Sequence, residues 1–65
     1  MGEVEYKGGY PAVAGWYDCL LDGKEVILRY RYCHTYGRHE WWDDAGNRIR
    51  DGRKVLWTGT PEKYY

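Results

Sequence analysis

The 65-residue chain has no phenylalanine and no serine, only two cysteines and two prolines, and no net charge, ten basic side chains offsetting ten acidic ones. The lack of serine excludes serine-nucleophile chemistry and leaves Thr35, Thr58, Thr60 and the tyrosines as the only hydroxyls. Two cysteines fourteen positions apart cannot make a disulfide-rich scaffold and match no paired-thiolate zinc knuckle, so a reduced, cytoplasmic protein is expected. No apolar stretch approaches the roughly 20 residues that cross a bilayer. The N-terminus carries no basic head followed by an apolar run, so neither a membrane span nor a secretory signal is expected. Zero net charge argues against both a strongly basic nucleic-acid coat and a uniformly acidic nucleic-acid mimic.

What the chain has is eight Tyr, four Trp and nine Gly, within an apolar fraction of 43%. So short a chain fills one core, which implies a single domain stabilised by aromatic packing or by self-association. Charge is blocked along it. Residues 1–22 hold one base and four acids, 23–39 four bases and one acid, 40–47 three acids, and 48–65 five bases and two acids, giving −3, +3, −3 and +3. Such blocks suit pairing of opposite charges across adjacent strands.

Residues 1–12, with Gly2, Gly8, Gly9 and Pro11, lack a period and read as an irregular arm or edge strand. The domain proper is expected over 13–61, followed by a mobile or loosely docked tail at 62–65. Strand signals start near Val13. The runs on either side of Asp22-Gly23 predict a hairpin with a type I′ turn, both of whose central residues need positive φ. That turn pairs Leu21 with Lys24, Cys19 with Val26, Tyr17 with Leu28 and Gly15 with Tyr30 on a nearly all-apolar face. The other, wetter face pairs Leu20 with Glu25, Asp18 with Ile27, Trp16 with Arg29 and Ala14 with Arg31. A third strand is expected over 39–43, a short segment at Ile49, and a last strand over 53–58 after the turn Asp51-Gly52. With no helical period present, the fold class is all-β: a small antiparallel meander of four to five strands, in a single layer or a partly closed barrel.

Candidate chemistry is sparse, and no enzyme activity is expected. Cys33 and His34 are neighbours, but neighbouring strand residues point to opposite faces and are badly placed for proton transfer. Cys19, Cys33, His34 and His39 make a nominal soft-metal set; the register puts Cys19 on the apolar face and Cys33, opposite Ala12, on the other, so neither a metal nor a cofactor is expected. Asp43 and Asp44, with Glu40 nearby, suit a tight turn better than a cation loop. The strongest constellation is on the wet face, where Trp16, Arg29 and Arg31 cluster and one of Trp41 and Trp42 joins them, the other entering the core. Three readings stand: a Trp/Arg hot spot for a protein partner or a second copy of the chain, stacking of single-stranded nucleic acid, or guanidinium groups merely covering an ordinary sheet surface. The first is preferred, with nucleic acid second.

The order Pro11, Gly15-Trp16-Tyr17, Val26-Ile27-Leu28, Trp41-Trp42 and the closing Val55-Leu56-Trp57-Thr58-Gly59-Thr60-Pro61-Glu62 resembles a family of short domains of unknown function common in phages and prophages. The resemblance spans about residues 11–62. It implies a small β-rich accessory protein of a mobile element that binds or inhibits a host protein in the bacterial cytoplasm, an inhibitor of host defence being one such role.

Overall fold

The computed structural model describes residues 5–64; residues 1–4 of the expected arm and Tyr65 of the expected tail lie outside them. Four strands form one sheet: β1 (Gly15–Leu21), β2 (Lys24–Cys33), β3 (Arg38–Trp42) and β4 (Val55–Trp57), all neighbours being antiparallel. The sheet curls into a half-barrel. Strands β1 to β3 follow as a meander, whereas β4 returns across the sheet to pair with β1. The resulting order β3-β2-β1-β4 is that of a Greek key.

The β1–β2 register is the one that the turn chemistry dictates. Asp22 (φ 51°) and Gly23 (φ 88°) both take positive φ, and Tyr17 faces Leu28 while Trp16 faces Arg29. The ladder stops at Gly15–Tyr30, so the expected pairs Ala14–Arg31 and Ala12–Cys33 do not form; Cys33 pairs with Arg38 of β3 instead. The segment at Ile49 is no strand but a single bridge, Trp42–Arg48, with the Ile49 N–H donating to the Trp41 carbonyl at 2.8 Å. The arm supplies a matching bridge on the far edge, Lys7–Trp57.

Alternation along the strands sends Tyr17, Cys19, Val26, Leu28, Tyr30, Trp41, Val55 and Trp57 to the inner face of the curl, where Cys19, Leu28 and Trp41 are buried. Tyr17 meets Trp41 and Trp57 edge-on, at 6.1 and 5.5 Å between ring centroids, a geometry that the ring quadrupoles favour. This aromatic packing stands where a larger domain would have aliphatic bulk.

The hairpin turn is tied to the strand that crosses over. The Asp22 N–H donates to the Lys54 carbonyl at 2.9 Å, the Lys54 N–H donates to the Asp22 carboxylate at 3.0 Å, and Arg53 donates to the same carboxylate. The basic block 48–65 meets the acidic block 1–22 here, and meets the acidic block 40–47 where Arg48 pairs with Glu40. The Lys54 N–H first, and then Arg53, hold the Asp22 carboxyl below its ordinary value. Because the folded value is depressed, the stabilisation is present above about pH 4, the unfolded value, and is lost as pH falls through the folded one. Asp22→Asn should therefore flatten the acid limb of stability against pH, as read by urea midpoints at stepped pH; an unchanged acid limb would deny the carboxylate this role.

Candidate functional site

The outer face of the sheet carries the other half of the alternation. Trp42, Arg29 and Trp16 lie directly opposite one another in one row across β3, β2 and β1, and Arg48 adds to the row through its bridge to Trp42. Arg31 sits two positions along from Arg29, opposite Glu40. The guanidinium of Arg31 lies 4.3 Å from the Trp42 ring centroid, and that of Arg29 lies 5.6 Å from Trp16. Both are within reach of cation–π attraction.

Of the candidate side chains, Trp16, Arg29, Arg31 and Trp42 meet on the outer face. Of the two adjacent indoles, Trp41 is the one that enters the core, facing inward and only 6% exposed. The division follows from the β2–β3 register, closed by the loop over 34–37 with the Gly37 N–H donating to the Cys33 carbonyl at 2.8 Å.

Sequence reasoning missed Tyr64. Residues Glu62–Tyr64 form one 3₁₀ turn, and the Tyr64 ring stacks on Trp16 at 4.6 Å with only 10° between planes. Pro61 before a short run ending in an aromatic was the available signal. Further along the outer face, Glu40 accepts from Arg38 at 3.1 Å and from Arg48 at 3.2 Å, and Tyr36 lies 4.4 Å from the Arg48 guanidinium. Guanidinium and aromatic groups thus run from Tyr36 to Tyr64.

Arg38 and Arg48 are committed to carboxylates, but Arg29 and Arg31 make no ion pair among the described residues. The indole N–H of Trp42 is buried without an acceptor among them. Desolvating such a donor unpaired costs about 1–3 kcal/mol.

The thiols have no shared chemistry. Cys19 faces the core, whereas Cys33 has the parity of Arg29 and Arg31 and so points outward; both are buried and free. Cys33 is the last residue of β2 and is 7% exposed. Burial pushes the Cys19 thiol up to about 12, which removes its thiolate at neutral pH. Under native conditions at about pH 8, close to the ordinary thiol value, Cys19 should resist iodoacetamide, and both cysteines should alkylate once the chain is denatured. Intact mass under denaturing, non-reducing conditions reads this; rapid native labelling of Cys19, or a mass about two units low from a disulfide, would contradict it.

The Asp43 carboxylate is consumed by its own turn, accepting from the Ala45 N–H at 3.0 Å and the Asn47 N–H at 2.8 Å. No group of three or more potential metal ligands gathers among the described residues. No described helix is long and apolar enough to cross a membrane. A search of protein-family models, of curated proteins and of solved structures finds no match to this chain.

Proposed function

We propose that this protein is a binding module that engages a protein partner through Trp16, Arg29, Arg31 and Trp42 on the outer face of the sheet. The observation that carries the reading is the pair of guanidinium groups, Arg29 and Arg31, that rest on indole rings and are matched to no carboxylate among the described residues. Resting on a ring orients the planar fork of Arg while leaving its N–H donors for a partner's carboxylates, and Trp with Arg is the composition of interface hot spots. The favoured partner surface is therefore acidic with an aromatic or aliphatic knob. The sequence resemblance extends the reading to a phage or prophage accessory protein that binds or inhibits a host protein in the bacterial cytoplasm.

The test is capture of the partner from a bacterial lysate on the immobilised protein, followed by titration of the purified partner against the wild type and Arg31→Ala. Retained affinity of the variant would reject the site. Titration with a single-stranded oligonucleotide separates this reading from nucleic-acid binding on the same face, which Arg31→Ala would weaken and make less salt-dependent. Sedimentation of the protein alone reports whether the partner is a second copy.

A further inference from the structure

The inner face of the curl is not closed over. Each edge of the sheet is covered by one bridging residue, Lys7 against Trp57 and Arg48 against Trp42, and between these flanking segments a cleft of about 790 Å³ opens above Trp41, Ile49 and Val55. Gly9 and Gly52 line its mouth, and nothing lies within 4 Å of where a Cβ would stand at either position.

One wall is aromatic. Tyr10 stacks on Tyr30 at 5.9 Å and 26°, Tyr30 stacks on His39 at 5.1 Å and 20°, and Tyr32 meets His39 edge-on at 5.5 Å. The stack is not buried: Tyr10 is 70% exposed and Tyr32 45%. The facing wall brings Arg50, Asp51 and Arg53, with the Asp51 carboxylate taken up by Arg38 and Arg48. Arg53 is held by Asp22, whereas Arg50 is exposed and makes no ion pair among the described residues.

These features select among ligand classes. A peptide adding as a strand pairs with a sheet edge, whereas the exposed aromatic wall lies on the inner face of the sheet. A nucleic-acid duplex needs a broad basic field, which a chain of zero net charge does not offer. An unpaired base needs an exposed aromatic face to stack on, hydrogen-bonding groups beside it and a cation for its phosphate, and the cleft offers all three. The aromatic wall extends over the arm, β2 and β3, which suits successive nucleotides. We infer that the inner cleft binds a short single-stranded nucleic acid, a base continuing the Tyr10–Tyr30–His39 stack while Arg50 takes a phosphate.

The test is fluorescence anisotropy with labelled oligothymidylate and oligouridylate of about ten nucleotides, within the span of one small β-barrel site. Binding of either probe at roughly 50 mM salt is expected, weakening about three- to sevenfold by 200 mM for one or two phosphate contacts. Tyr10→Ala should weaken it on the order of tenfold through lost stacking, and Arg50→Ala should weaken it and flatten the salt dependence. Lys63→Ala, which removes an exposed cation outside the cleft, should leave it unchanged. Tyr10 and Arg50 are exposed, so both variants should melt like the wild type. Failure of both probes to bind, displacement by a neutral oligosaccharide, indifference to Tyr10→Ala and Arg50→Ala, or equal loss with Lys63→Ala would each overturn the inference.

Discussion

Trp41→Ala is expected to leave the chain largely unfolded at 25 °C. Trp41 is buried with Cys19 and Leu28, meets Tyr17 edge-on, and packs tilted against Tyr30 at 4.9 Å. Replacing it removes the largest ring of the cluster and opens a cavity beneath two others, a change that costs about 3–5 kcal/mol in cores. A single core in a domain this small supplies about 3–5 kcal/mol in total. The two quantities match, so the variant should lose its cooperative melt and its near-ultraviolet circular dichroism. Trp41→Phe keeps a ring against Tyr17 and should retain a transition at lower temperature. A Trp41→Ala variant that melts like the wild type would show that the core lies elsewhere.

The second large effect is expected on binding. Trp16→Ala removes both the platform beneath Arg29 and the ring on which Tyr64 stacks, and Arg31→Ala removes an exposed guanidinium from above Trp42. Neither residue belongs to the buried cluster, so the domain should stay folded. Each variant should lose about 1–3 kcal/mol of partner affinity, the range of interface hot spots, or about fivefold to 150-fold in Kd. Calorimetric titration alongside thermal melts measures both quantities. Wild-type affinity in both variants would reduce the outer face to ordinary sheet surface.

The first hairpin was legible in the sequence because two constraints agree there: Asp22-Gly23 favours a two-residue turn, and only that register separates the apolar residues from Trp16 and Arg29. The choice between Trp41 and Trp42 was not legible. It depends on the loop over 34–37, whose sequence lacks an equally selective turn pair, and a shift of one residue there exchanges the two indoles.

The fourth strand proved shorter than expected, Val55–Trp57, with residues 53 and 54 tied to the turn at Asp22. Its place beside β1 was equally hidden, since a crossover leaves no periodicity to read. The same is true of Tyr64 on Trp16 and Tyr10 on Tyr30, which join chain ends to the sheet over long sequence separations. Of the outer site, Trp16, Arg29 and Arg31 could be read from local pattern, while Trp42 and Tyr64 came from tertiary pairing.

Trp41 and Trp42 are adjacent in β3 and point to opposite faces, so comparing Trp41→Ala with Trp42→Ala tests the division between a structural inner face and a binding outer face most directly. Removing Trp42 also removes its buried, unpaired N–H, which offsets part of the lost packing. Melts and partner titrations of the two variants should show Trp41→Ala unfolded, and Trp42→Ala folded with a loss of stability less than half as large and partner affinity at least about fivefold weaker. Unfolding of both variants to the same degree, or a folded Trp42→Ala that binds as the wild type does, would contradict that division.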